Sequence, residues 1–326
     1  ADARRQAAQA LVDAFDGPGR IGPVDEDVAR GVQGITEKEG RHRRPCVARD
    51  QMNGDSRMNE LDRYRQFGQK IEAFLRPASF PLAIKLIRTE EEIPPGAKRP
   101  AADFRHQNFV CQNFKIARNY GWTIAVTEKD CNCKIARTFY GWDPLTPEVQ
   151  QFAVQFTVGL YSKDAATSNK WTDTLYTLKE NYAGIVVSPL ARTKVVPDVI
   201  QIYGLPAQIM RLVQGYLYVE GGTMQFTSSG RAGSCHEGVI KTIQLDLPQV
   251  VLLGNGDRVW GGAEDAEIMF SSPRGKLGLL VEGLEATHQA GLRYPIPKYM
   301  NYSPGFQDEF EQRAFERAGG TLVKKR

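Results

Sequence analysis

Four cysteines are the residues in this chain whose type and placement point most directly to chemistry: Cys111, Cys131, Cys133 and Cys235, out of five in all. Soft, deprotonated sulfur suits zinc and iron, and four thiolates are the complement of a tetrahedral zinc site or an iron–sulfur cluster. Zinc ribbons and ferredoxins usually pair their cysteines as C-x-x-C. Here the pair is the C-x-C of Cys131 and Cys133, and its partners are remote in sequence. The expected ligand set is all four cysteines, and residue type leaves an iron–sulfur cluster and zinc both open as the cofactor. Cys235 follows Gly233 and Ser234 where a helix is expected to begin, and Cys131 and Cys133 stand at the mouth of another. Backbone N–H groups at a helix start favour a thiolate, so these positions predict lowered thiol pKa values. The bland account of Cys111, next to Phe109 and Val110, is a small buried hydrophobe. A third possibility is direct thiol chemistry, with Cys131 and Cys133 as a redox pair or Cys235 activated by His236. Adjacent helical residues point about 100° apart, which aims His236 poorly for that task.

Other candidates are weaker. The segment GNGDRVWGG at 254–262 lacks the G-x-G-x-x-G spacing of a dinucleotide loop, and Asn255-Gly256 predicts a β-turn. His106 and His288 are isolated. Glu237 reads as a solvated carboxylate at a helix start. Arg118 and Arg137 close two similar runs, Lys115-Ile-Ala-Arg118 and Lys134-Ile-Ala-Arg137, each preceded by cysteine and followed by Gly-Trp. They are expected on solvated helix faces, with neutralisation of an anionic cluster or substrate as the functional alternative.

The elements that must position these residues follow from apolar spacing. Leu61, Tyr64, Phe67, Ile71, Phe74 and Leu75 recur with helical period, and PLAIKLI at 81–87 reads as a strand. A helix over 108–119 is expected to stop at Gly121, a strand covers 122–127, and a second short helix over 131–140 stops at Gly141. Amphipathic helices are predicted at 147–160 and 169–181, and β-segments at GIVVSPL and DVIQIYG, followed by a helix that starts at Pro206. TMQFTSS reads as a strand, GRAGSCHEGVIKTI as a turn feeding a helix, QVVLLGN and AEIMFSSP as strands, and 274–288 as a helix. Strands and helices alternate without a strict period. That predicts an α+β fold with a mixed sheet and packed helices in a single large domain, rather than a regular doubly wound one.

The 326 residues are enough for such a domain to bury its core without disulfides. The net charge of +4 is spread among interleaved acids and bases, which argues against a nucleic-acid partner. No run approaches the roughly 20 apolar residues of a membrane span and no secretory signal is visible, so a cytoplasmic location and no membrane partner are expected. In a reducing compartment clustered cysteines point to metal or redox chemistry rather than a disulfide framework. Residues 1–57 are rich in Ala, Arg, Gly and Asp, with Phe15 as their single aromatic. They read as a poorly structured extension outside the native domain, with Met58 as the natural start. The domain is expected over 58–300 and a partly helical tail over 301–326.

From Met58 to Pro297 the chain resembles the Domain of Unknown Function 169 family. The resemblance rests on the order of RPASFPLAIKLI, the Cys111 helix ending in Ala117-Arg118, the Cys131 segment ending in Gly141, GRAGSCHEGV, GNGDRVWG and the helix leading to GLRYPIP. It implies a cysteine-containing fold with iron–sulfur binding, Cys111, Cys131 and Cys235 falling in cysteine-bearing segments of the family pattern and Cys133 supported by proximity alone. The expected function is metal or iron–sulfur binding in electron transfer or reductive metabolism, with a redox protein or a small-molecule substrate as partner. The rivals are a non-catalytic binding module with structural zinc or no metal, and a thiol redox enzyme.

Overall fold

The computed structural model describes residues 59–296 except 145 and 179, together with 316, 317 and 319. The expected extension at 1–57, the start at Met58 and nearly all of the 301–326 tail lie outside the described residues. In chain order the elements are α1 (Glu60–Leu75), β1 (Leu82–Ile87), α2 (Pro100–Asp103), α3 (Val110–Tyr120), β2 (Ile124–Thr127), α4 (Lys134–Phe139), α5 (Pro147–Thr157), α6 (Ala165–Thr172), β3 (Gly184–Pro189), β4 (Val199–Gly204) and α7 (Pro206–Glu220). A π-helix (Gly233–Lys241) then runs into α8 (Thr242–Leu245), followed by β5 (Gln249–Val251), α9 (Asn255–Val259), β6 (Ile268–Pro273) and α10 (Leu277–Gln289).

The strands form one six-stranded sheet in the order β2-β3-β1-β4-β6-β5. The α+β class is the one the sequence predicts. Every strand pairing is antiparallel, however, where the irregular alternation predicts a mixed sheet. Most strand residues are buried because helices cover both faces of the sheet. Period-two geometry sends Leu82, Ile84 and Leu86 of β1 and Val199 and Tyr203 of β4 into one core with Val110, Phe114 and Ala117 of α3. It sends Ala83, Ile200 and Ile202 to the opposite core, with Ile71 and Leu75 of α1, Leu212 of α7 and Leu280 and Leu284 of α10.

Local chemistry fixes the ends of these elements. The Asn59 side chain accepts from the Leu61 N–H at 3.2 Å to open α1. Pro147 and Pro206 occupy first helical positions. Gly121 ends α3 with φ 73°, a left-handed conformation that favours glycine. The helix expected at 169–181 forms instead as α6 and ends at Thr172, and two further sequence expectations fail. Residues 223–229 form no strand, and Asn255-Gly256 opens the short helix α9 rather than a hairpin turn. The last failure has a physical cause: Asp257, three residues after Gly254, accepts that residue's N–H at 2.9 Å and so starts a helix in place of the turn.

Candidate functional site: a thiol-lined cleft

The four cysteines are brought to one region by three separate segments. Cys111 lies in the first turn of α3, where its Sγ is 3.6 Å from the Gly256 carbonyl at the start of α9. Cys131 and Cys133 flank the loop before α4. Cys133 is the N-cap of that helix, its Sγ accepting from the Ala136 N–H at 3.4 Å, and the Cys131 thiol points back to the Cys133 carbonyl at 3.9 Å. Cys235 sits in the first turn of the π-helix, where its carbonyl accepts the buried Tyr140 hydroxyl at 3.2 Å. Cys111, Cys133 and Cys235 line a single cavity of about 520 Å³, while Cys131 is fully buried in the core beside it.

Polar groups hold each segment in place. Asn108 and Cys131 form a bridge between the strand-like runs ahead of α3 and α4, with the Asn108 N–H donating to the Asp130 carbonyl and the Asn132 N–H donating to the Asn108 carbonyl, both at 3.0 Å. The buried Asp130 carboxylate accepts from Arg99 Nε at 2.8 Å, the Ala101 N–H at 3.1 Å and the Thr127 hydroxyl at 2.9 Å. The π-helix is anchored through Asp257, whose carboxylate accepts the N–H of Gly233 at 3.1 Å and of Ser234 at 3.3 Å, as well as the Ser234 hydroxyl. Sheet side chains take up π-helix carbonyls: Gln201 Nε2 donates to Ser234 O at 2.7 Å, and the Ser271 hydroxyl donates to Gly238 O. Such partners matter because the i→i−5 ladder is rare. A Cβ at Gly238 would meet the ends of the Met269 and Gln201 side chains, 2.2 and 2.7 Å away, and would displace the Gln201 amide that holds Ser234.

Burial dominates the electrostatics of the site. It pushes the Cys131 thiol up to about 12, the Cys111 thiol well up and the Cys133 thiol up from its ordinary value. For Cys235 desolvation is again the main cause, with nearby Asp257 and the other three cysteines adding to it. The helix-start positions therefore do not yield the lowered thiol pKa values that the sequence predicts, because desolvation outweighs the terminal N–H groups. His236 is no base for Cys235: burial pulls it down to about 4, and its Nε2 accepts the Tyr176 N–H at 2.9 Å.

Three further expectations are corrected. Glu237 is buried rather than solvated, and its carboxylate accepts from Ser228 Oγ at 2.9 Å and from the Ser229 N–H at 2.7 Å. Arg118 is 2% exposed and forms a forked pair with Glu267 at 2.7 and 3.0 Å over the Tyr203 ring. Arg137 is partly exposed but engages Glu128 and Asp143. His106 is exposed, with Nδ1 2.7 Å from the Phe104 carbonyl, and His288 packs against Phe74. Neither lines the cleft.

Sequence reasoning missed Asp257 and Arg231, which also line the cleft. Asp257 was legible as the acidic third residue after Gly254; Arg231 carried no signal. Among the described residues no three His, Cys, Asp or Glu side chains are drawn together closely enough to hold a single metal ion. No helix among them is long and apolar enough to cross a membrane.

Fold and site together define an α+β protein with a thiol-lined cleft beside an antiparallel sheet. Residues 70–283, which include all four cysteines of the cleft region, match the DUF169 family, described as Uncharacterised ArCR, and the chain belongs to that family. It is similar to the Uncharacterized protein MJ0308 of Methanocaldococcus jannaschii, with 29% identity over 208 residues, 64% of this chain and 88% of that protein. No solved structure matches.

Proposed function

We propose that the cleft is a thiolate site for an iron–sulfur cluster, used in electron transfer or in reductive chemistry on a small molecule. The observation that carries this reading is the convergence of Cys111, Cys133 and Cys235, from three separate segments, on one cavity. They would hold the group from the cleft wall, and Cys131, buried with its thiol toward the Cys133 carbonyl, is the fourth thiol. Bound there, a cluster would supply one-electron transfer at a potential set by charge, hydrogen bonds and solvent exposure.

Thiol donors suit zinc and iron–sulfur alike, and the size of the cavity favours the cluster. A tetrahedral zinc with bonds of 2.3 Å draws its sulfurs to within about 3.8 Å of one another. A cluster holds its thiolates farther apart because iron and sulfide fill the centre. Cys111, Cys133 and Cys235 line one cavity of about 520 Å³, which leaves room for the larger group. The raised thiol pKa values count against a free thiolate nucleophile, since the thiol and not the thiolate dominates near neutral pH. The protein's own contribution is to surround the thiols with the Phe139 and Trp171 rings and to hold Cys235 by the Asp257 anchor.

Anaerobic purification followed by iron, sulfide and zinc analysis and a visible spectrum tests this. Brown protein with iron and acid-labile sulfide is expected, and C111S and C235S variants that keep their circular dichroism should lose both. Colourless, metal-free protein after anaerobic reconstitution overturns the reading. Zinc at one per chain, with unfolding on chelation, replaces it with a structural module.

A further inference from the structure

The cleft is larger and more apolar than its thiols require. Its volume of about 520 Å³ falls in the range of small-molecule sites, roughly 300–1,000 Å³. Phe156, Leu160 and Trp260 line it and are at least half exposed, so apolar surface continues from the thiols to the mouth.

The charged side chains on this lining are Lys134, Arg231 and Asp257. Asp257 has both carboxylate oxygens engaged by the Gly233, Ser234 and Gly254 donors. Lys134 makes no ion pair among the described residues and lies 5.3 Å from the Phe152 ring centre. Arg231 is held firmly: Nη2 donates to the Tyr161 carbonyl at 2.8 Å and to Ser162 Oγ at 2.9 Å, and the guanidinium lies over the Trp171 and Tyr161 rings at 4.5 and 5.1 Å. It too makes no ion pair among the described residues, and its Nη1 is out of solvent with no hydrogen-bond partner. Both Nη2 protons are taken by Tyr161 and Ser162, so Nη1 is the unmet donor; left unpaired beside an apolar cavity it is unfavourable by itself, and one oxygen of a carboxylate would satisfy it.

We propose that the cleft binds a small organic anion, a carboxylate on an apolar body, with Arg231 as its anchor and the Phe156, Leu160 and Trp260 wall as its apolar seat. A role for this ligand as substrate rests on the thiol-site reading; its binding does not.

The test uses the full chain, purified anaerobically, with iron and sulfide measured on the same sample. Phenylacetate and 4-phenylbutyrate are titrated against their neutral amides and against inorganic phosphate, read by quenching of tryptophan fluorescence, since Trp171 and Trp260 line the cleft. Saturable quenching by the acids is expected, with the amides at least about tenfold weaker and phosphate inert. R231Q should bring the acid-to-amide ratio close to one, and R231K should give an intermediate ratio. If R231Q does not fold, R231K decides. Equal binding of acid and amide, phosphate competing as well as the acids, an unchanged ratio in the Arg231 variants, or no saturable binding overturns the proposal. Acid preference in a sample without iron or sulfide removes the cluster and leaves the anion site. A loaded sample without acid preference does the reverse.

Discussion

Arg118 and Glu267 show how burial reverses the sense of a charged residue. On a solvated helix face their pairing would contribute about 0–1 kcal/mol. In this fold the arginine side chain is 2% exposed and the glutamate side chain 10%, and the fork between them ties α3 to the loop before β6. Removing one partner strands the other's charge, so R118M and E267Q should each lower stability by about 3–5 kcal/mol, while the double replacement R118M/E267L should recover most of it. Urea unfolding of the three variants checks this, and additive losses in the double variant would contradict it. Burial alone would raise the Glu267 carboxyl, but the hydrogen bonds from Arg118 and the Glu264 N–H outweigh it and hold the group below the usual carboxylate range. A depressed carboxyl contributes stability that is full above the unfolded-state value, roughly 4.3, and is lost as pH falls through the folded one. Wild type should therefore lose more stability than E267Q as pH is lowered below that point.

At the scale of elements, the π-helix is the part of the site least legible in the sequence. GSCHEGVIK has the apolar spacing of an ordinary helix start, and a turn feeding a helix is indeed what the chain makes there. The wider winding depends on partners that are distant in sequence: Gln201 on β4, Ser271 on β6 and Asp257 on α9. No local pattern encodes such contacts. The helices of 60–75 and 110–120, and strands such as 82–87, were legible because each carries its own period or end signal, as Gly121 does for α3. The cysteine set was legible by residue type, whereas the burial that raises its thiols was not. Asp257 makes the dependence testable. D257N keeps the shape but replaces an acceptor oxygen with an NH2 group facing backbone donors. It should cost about 1–3 kcal/mol and speed alkylation of Cys235 in the folded protein, read by peptide mass spectrometry after a timed iodoacetamide pulse. Unchanged Cys235 labelling would mean that Asp257 does not hold the π-helix start.

For the molecule as a whole, the sheet separates two tasks. One face carries α3, the π-helix and the cleft, and the other carries α1, α7 and α10. Glycines set the far-face spacing: a Cβ at Gly283 would come 1.9 Å from the Gly215 carbonyl oxygen, and one at Gly215 would come 2.9 Å from the Leu284 N–H nitrogen. These are backbone atoms, so no side-chain rotation relieves the contact and the helices themselves must part. G283A should therefore destabilise the fold by about 1–3 kcal/mol or more, with a thermal midpoint several degrees lower. Because the strands lie between the two cores, the folded variant should keep wild-type alkylation rates at Cys111, Cys133 and Cys235 well below its midpoint. Faster labelling of those thiols in folded G283A would show instead that far-face packing is transmitted through the sheet, which would make the cleft's shape a property of both layers.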